Sequence, residues 1–192
     1  NYAYNADGTL RKKGDAKHQE TSYTYDSLKR VTKIQRGTYT GTWPNETFTP
    51  IAAQESDFVY DSATGCTNGQ GRLCQATYTG TNAQGQQLAD AFTETFSYTG
   101  PGEVASKQWG VVRDYPYTNP QGVLTHTTAG FTLSQSYTWD SEGRMSTSSY
   151  PGATVSGDAA ACPGGSTVAG SALPDGYDSM GRLLNMTRTN VT

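Results

Sequence analysis

This chain predicts an all-β protein built from antiparallel hairpins, and three observations carry that prediction. The stretch Tyr137-Thr138-Trp139-Asp140-Ser141-Glu142-Gly143-Arg144-Met145 sets turn chemistry between two alternating runs, and the same device recurs along the chain. Thr outnumbers even the 22 Gly, and with 13 Tyr it favours strands, whereas Leu, Glu, Lys and Met are scarce. Phe131, Leu133, Gln135, Tyr137 and Trp139 alternate with Thr132, Ser134, Ser136 and Thr138, which gives a strand with one apolar and one hydroxyl face.

In chain order, the first copy of the device spans residues 2–10, with Tyr4 before Asn5 in the Asp place and Thr9 in the Arg place. The second, residues 23–34, has Tyr25-Asp26-Ser27-Leu28-Lys29-Arg30 and lacks only the Gly. The third, residues 58–76, opens with Tyr60-Asp61-Ser62, and an insertion delays its Gly71-Arg72-Leu73. Residues 96–104 form the most worn copy, with Thr99 following Tyr98. Trp139, Asp140, Gly143 and Arg144 mark the fifth, at 137–146, and Tyr177, Asp178, Gly181 and Arg182 the sixth, at 177–186. Where the Asp is present its carboxylate is placed to accept backbone amides a few residues on, and where the Gly is present it supplies a positive φ. The Arg after the turn is expected back on the Asp or on a neighbouring aromatic face.

Successive copy aromatics lie 21, 35, 38, 41 and 38 residues apart. The longer intervals predict an illegible hairpin or a long loop between copies. Residues 36–55, with Pro44 and Pro50, read as a loop with at most one edge strand. Residues 114–122 read as a turn-rich spacer, and residues 153–174, rich in Gly, Ala and Ser, as an exposed loop. Glu94 falls on the apolar side of Phe92, Phe96 and Tyr98, which places it near a strand end or against an Arg, the first being favoured. The greasy face of 131–139 is expected to meet another sheet or another turn of the same one.

Aromatic-x-Tyr-Asp-x-x-Gly-Arg-Leu, repeated from Tyr2 to about Leu184, resembles the tyrosine-aspartate (YD) repeat of the Rhs family, shared with teneurins and the cocoons of insecticidal toxin complexes. Gly65-Cys66-Thr67-Asn68-Gly69-Gln70-Gly71-Arg72-Leu73-Cys74 resembles a two-cysteine variant found in bacterial members. The resemblance implies a long sheet of hairpins that curls into a spiral shell around a polypeptide cargo. The whole of residues 1–192 then reads as a single domain, an excised piece of an extracellular or surface-exposed bacterial polypeptide. Family members that cleave themselves do so in a segment after the repeats, and no such segment is legible here.

Composition narrows the function classes. Leu, Ile, Val and Phe make up only about 13% of the chain, below the roughly 20% typical of folded domains, but a net charge of −3 and the many Tyr favour a folded, aromatic-cored protein. No apolar run reaches the roughly 18 residues of a membrane span, and a pI of 5.3 with scattered cations does not make a nucleic-acid footprint. His18 and His126 lie in no nucleophile motif, no phosphate-binding loop is present, and no cofactor is expected.

Cys66 and Cys74, eight positions apart around Asn68-Gly69, are read as a hairpin disulfide, which would contribute about 2–3 kcal/mol by loop closure. The alternatives are two reduced thiols, or a pairing of either with Cys162. The repeat carboxylates Asp26, Asp61, Asp140 and Asp178 are read as turn devices rather than a hydrolytic pair, and Asp140 with Glu142 falls short of a calcium loop. Asn45, Asn185 and Asn190 head the three candidate glycosylation sequons.

The leading functional expectation is a structural, non-enzymatic shell wall or scaffold. Its partners are other copies or neighbouring repeats, joined through open sheet edges into a coil or fibre. The alternative is an adhesin-like module that stacks glycans on exposed aromatics.

Overall fold

The computed structural model describes residues 1–42, 45–81, 87–118, 120–149, 152–156, 167–169 and 187–189, the side chains of 87–90, 113–117, 126–129 and the last three segments excepted. Among these the chain forms thirteen strands and no helix. They are β1 (Tyr2–Tyr4), β2 (Leu10–Gly14), β3 (Gln19–Tyr25), β4 (Val31–Thr40), β5 (Thr47–Tyr60), β6 (Leu73–Thr81), β7 (Gln87–Tyr98), β8 (Val104–Thr118), β9 (Leu124–Trp139), β10 (Met145–Ser149), β11 (Gly152–Ser156), β12 (Thr167–Ala169) and β13 (Thr187–Thr189).

All belong to one open antiparallel sheet. β1 to β10 run as a meander in which each strand pairs with the next, and β12 and β13 extend it past β10. β10 pairs with Tyr137, Thr138 and Trp139 at the end of β9 and β11 with residues 130–134 in its middle, so the two lie end to end along the same side of β9. Among the described strands the edges are β1 and β13.

One irregularity recurs at every described copy. The register slips between Ala3 and Tyr4, between Thr24 and Tyr25, between Val59 and Tyr60, between Ser97 and Tyr98, and opposite Trp139, between Met145 and Thr147. In each case the extra residue lies on the strand after the turn, opposite the copy aromatic; such a bulge adds right-handed twist and bends its strand, so five of them on alternate hairpins curl the ribbon in one sense.

Of the spacers predicted as loops, 36–55 is largely strand and 114–122 is strand as far as Thr118. Residues 36–55 contain the end of β4 and much of β5, with Pro50 paired to Gly37 beside a wide bulge where the register jumps from Gln35↔Glu55 to Gly37↔Pro50. Thr79 plugs that bulge, accepting from the Glu55 amide at 2.9 Å and donating to the Ala52 carbonyl at 2.8 Å. β6 last pairs with β5 at Ser56↔Tyr78, so Pro50 sits where β5 is locally an edge, a position that tolerates a missing N–H. Residues 114–118 continue β8 beyond its last pairing with β7, Val111↔Phe92, and Pro116 is tolerated there for the same reason. β11 and β12 lie within or at the margin of 153–174, whose other residues are outside those described. Long strands, 14 to 16 residues in β5, β8 and β9 against 7 in β3, account for the wider copy intervals.

The expected second layer is not found among the described residues. Strand packing runs between sheet neighbours, with a small contact of β5 on β7. Among the described residues only Tyr39, Cys74 and Ala76 are buried apolar residues, so the aromatic core expected from composition is there a half-buried carpet on one face. Phe58 meets Tyr78 edge-on at 6.5 Å and Tyr78 meets Phe92 at 5.8 Å, as cross-strand pairs. Leu133, Gln135, Tyr137 and Trp139 are half-buried while Ser134, Ser136 and Thr138 are exposed, which is the alternation read from sequence. Glu94 lies mid-strand rather than at a strand end. It pairs with Lys107 at 2.6 Å and accepts from Trp109 Nε1 at 3.0 Å.

Candidate functional site, a ladder of repeat turns

Because the copies lie on alternate hairpins of a meander, the turns after Tyr4, Tyr25, Tyr60, Tyr98 and Trp139 gather on one rim of the sheet, two strands apart. At about 4.8 Å per strand, neighbouring turns sit roughly 10 Å apart, within reach of Tyr, Trp and Arg side chains.

The first, second and fifth tips are closed by the same backbone pair, while in the third and fourth the second bond goes to the Asp61 carboxylate or the Thr99 hydroxyl instead. In the second copy the Asp26 amide donates to the Arg30 carbonyl and the Lys29 amide to the Asp26 carbonyl, both at 3.0 Å; in the fifth, Asp140 and Arg144 close at 2.9 Å and Gly143 to Asp140 at 3.1 Å. The Asp side chain then fills the loop. Asp26 Oδ1 accepts from the Leu28 and Arg30 amides at 2.8 and 2.9 Å, and Oδ2 from Arg30 Nε at 2.7 Å. Asp140 repeats this with Glu142, Arg144 and Arg144 Nε at 2.9, 2.9 and 2.7 Å. These donors hold both carboxyls below the usual carboxylate range, the backbone amide of the following Arg being the largest cause.

The fourth tip residue takes positive φ: 86° at Gly8, 62° at Lys29, 119° at Gly102 and 74° at Gly143. The copy without Gly therefore places Lys29 in a conformation that costs an L-residue about 1 kcal/mol. A sixth tip of this kind went unread in the sequence. Asp15 accepts from the Lys17 and Gln19 amides at 2.8 and 2.9 Å, with His18 at φ 60°, but it lies on the opposite rim and has no aromatic before it. Tyr39 ties to it instead, its hydroxyl donating to the Asp15 carbonyl at 2.8 Å and its ring lying 4.9 Å from His18.

Neighbouring copies are joined through the aromatic. Tyr25 Oη donates to the Leu10 carbonyl at 2.7 Å, Tyr98 Oη to Leu73 at 2.5 Å, and Trp139 Nε1 to Val104 at 2.8 Å. Leu10, Leu73 and Val104 lie opposite the aromatic of the preceding copy and border the extra residue of the bulge, on the strand after the turn, and their carbonyls are the ones the next copy uses. This explains Tyr or Trp where Phe would fill the same space. The second copy reaches the third through Arg30 instead, whose guanidinium lies 4.4 Å from the Tyr60 ring centre and binds both oxygens of Asp61. Arg72 likewise lies over Tyr98, at 5.4 Å. The two destinations expected for these arginines are both used.

The Cys66–Cys74 disulfide is present, with 5.5 Å between Cα atoms. It folds the insertion back so that the Thr67 carbonyl accepts from the Tyr98 amide at 3.0 Å and Asn68 Nδ2 donates to the Tyr98 carbonyl at 2.9 Å. A methyl at Gly69 would overlap both Sγ atoms and the Asp61 carbonyl, so the Gly of Asn68-Gly69 makes room for the sulfurs. Cys162, Tyr177, Asp178, Gly181, Arg182, Asn185 and Asn190 lie outside the described residues, as does the side chain of His126. Asn45 is exposed in the β4–β5 turn.

One ionisable cluster could not be read from the sequence. Glu46, beside Asn45, binds Lys12 and faces Glu20, and both carboxylates are buried. Burial, then the facing Glu46, pushes the Glu20 carboxyl up to about 7, while Glu46, though burial opposes its charge, is held below its ordinary value by Lys12 and by the Glu20 proton. One oxygen of each has no hydrogen-bonding partner unless a proton lies between them.

No protein-family model matches the chain, and no curated protein matches its sequence. Among solved structures it is similar to "Crystal Structure of TcdB2-TccC3-TEV", at 13% identity and a TM-score of 0.48, covering 88% of this chain and 7% of that one. This chain thus spans a small fraction of the length of that protein.

Proposed function

We propose that this chain is a non-enzymatic wall or scaffold segment of an extracellular bacterial polypeptide of the tyrosine-aspartate repeat type. The observation that carries the reading is the turn-to-turn coupling, in which the aromatic of one copy binds the carbonyl bordering the bulge of the copy before it. Such a joint adds units in one dimension, so stability grows with copy number as in other repeat arrays. The tip carboxylates of Asp26, Asp61 and Asp140 are filled by amides and guanidinium groups, which suits a structural role and leaves no free acid-base pair among them. The disulfide fits an oxidising, extracellular setting.

The test is negative-stain microscopy of the whole polypeptide that carries this segment. A hollow particle with a single-layer wall is expected, and a solid particle, or substrate turnover by residues 1–192, would overturn the reading. A second reading, a glycan-binding module, rests on a groove of about 290 Å3 lined by Phe96, Val104, Lys107, Tyr137, Trp139 and Met145. Silence on a glycan array would remove it.

A further inference from the structure

Two cations of the sheet, Lys13 and Arg36, serve no counter-charge. Others are committed to the fold, as Arg30, Lys33, Lys107 and Arg144 are to carboxylates and Arg72 is to backbone carbonyls and the Tyr98 ring. The side chains of Lys13 and Arg36 are exposed and meet no acceptor or ring among the described residues. Both stand in one cross-strand row, Lys13↔Thr21 and Thr21↔Arg36, on the same face of β2, β3 and β4. Two strand spacings put them about 10 Å apart.

The sheet opens beside Arg36. β4 and β5 pair at Gln35↔Glu55 and next at Gly37↔Pro50, so Arg36 faces residues 51–54, which step out of the ladder. A cavity of about 160 Å3 forms there, with Gln19, Thr21, Arg36, Thr38, Ile51 and Gln54 in its lining. Gln19 pairs with Thr38 and Thr21 with Arg36, so these four side chains share the face of the cation row. Both nearby carboxylates are taken. Asp15 accepts from the Lys17 and Gln19 amides, and Glu20, between Gln19 and Thr21, turns to the opposite face, where it meets Glu46 and Lys12. β2, β3, β4 and β5 each have a neighbour on both sides, so the cavity is built from interior strands of the sheet.

The lining specifies a ligand class. Gln and Thr side chains both donate and accept, as sugar hydroxyls require, whereas Lys13 and Arg36 only donate and suit a carboxylate, Arg36 with a planar fork. The volume lies below the roughly 300–1,000 Å3 of drug-sized sites and matches a single sugar ring. No aromatic ring lines the cavity to stack a base, and two cations are too few for a phosphate track, which argues against a nucleic acid.

We propose that this cleft binds an acidic polysaccharide of the uronic acid class. One ring is seated where β5 leaves the ladder, with its carboxylate on Arg36, and a further carboxylate along the same glycan reaches Lys13. The inference rests on neither the wall reading nor the groove at Phe96 and Trp139.

Isothermal titration of residues 1–192 with tetragalacturonate, with the neutral maltotetraose and with sodium sulfate tests this. Binding of the first alone is expected. Arg36→Gln should weaken it about ten- to a hundredfold, the loss of a charge-assisted hydrogen-bonded pair, and Lys13→Gln about two- to fivefold. Both positions are exposed, so circular dichroism should keep its β signal. Lys29→Gln, which removes an exposed cation on the rim, should leave the affinity unchanged. Absence of binding at millimolar tetragalacturonate, equal binding of maltotetraose or sulfate, or an affinity that survives Arg36→Gln would overturn the site.

Discussion

Arg30 binds Asp61, 31 positions away, through both terminal nitrogens at 2.6 and 3.1 Å, while its Nε holds Asp26 at 2.7 Å. One guanidinium thus closes its own turn and joins it to the next. Asp61 is pulled down to about 2, first by Arg30 and then by the Gly71 amide, and Arg30 is raised in turn by Asp61 and Asp26.

Arg30→Lys keeps the charge but cannot serve both carboxylates with a planar fork. It is expected to lower the midpoint of thermal unfolding, and Asp61→Asn made in that background should cost less than Asp61→Asn in the native chain, because the bridge is already weakened. Differential scanning calorimetry of the four chains decides this; strictly additive losses remove the bridging role. The stability that Asp26, Asp61 and Asp140 supply is present above their ordinary value of 3.8 and is lost as pH falls below it through their lowered values, which for Asp61 means toward about 2.

Glu20 imposes the opposite slope. Its carboxyl titrates near 4.5 in an unfolded chain and near 7 when folded, so between those values the unfolded state releases a proton that the folded state keeps. The stability tied to Glu20 is complete below 4.5, declines up to about 7 and is flat beyond. Glu20→Gln keeps a donor toward Glu46 and does not titrate. Urea midpoints from pH 5 to 7.5 should fall for the native chain and hold level for the variant, and parallel curves would exclude Glu20 as the source.

The fourth tip position separates a backbone effect from side-chain contacts. Gly143→Ala is expected to destabilise by about 1–2 kcal/mol, because φ there is 74°. Lys29→Gly should stabilise by about 0.5–1 kcal/mol, since Lys29 sits at φ 62° and its pairing with Asp7, at 3.9 Å, is exposed. Chemical denaturation of both checks the signs, and a destabilising Lys29→Gly would show that its bond to the Asp7 carbonyl outweighs the backbone term.

Replacing Cys66 and Cys74 together by Ser should cost about 2–3 kcal/mol. A local effect should accompany it. The Tyr98 amide depends on the Thr67 carbonyl held by the disulfide, so its hydrogen exchange should accelerate more than that of Thr95, paired within β6 and β7. Uniform acceleration would mean the loop acts only through global stability.

The turns were legible because their chemistry is local. Asp26 and Asp140 bond to amides two and four residues on, and the conformation of Gly143 is needed within the same five residues. The strands around Pro50 and Pro116 were read as loops because a proline is a breaker on propensity alone. Whether it breaks a ladder depends on whether a neighbouring strand reaches that far, and here β6 and β7 stop short.

The amino-acid order alone determined the hairpin unit, its repetition and the alternation of faces, since periodicity and turn chemistry act over a few residues. Only the tertiary structure decided that the copies share one rim and that Tyr25, Tyr98 and Trp139 each bind the carbonyl bordering the previous bulge. It also decided that Glu20 and Glu46 face each other beside Lys12. These relations depend on strand register across long separations, where a single-residue slip changes every partner and leaves the local pattern intact.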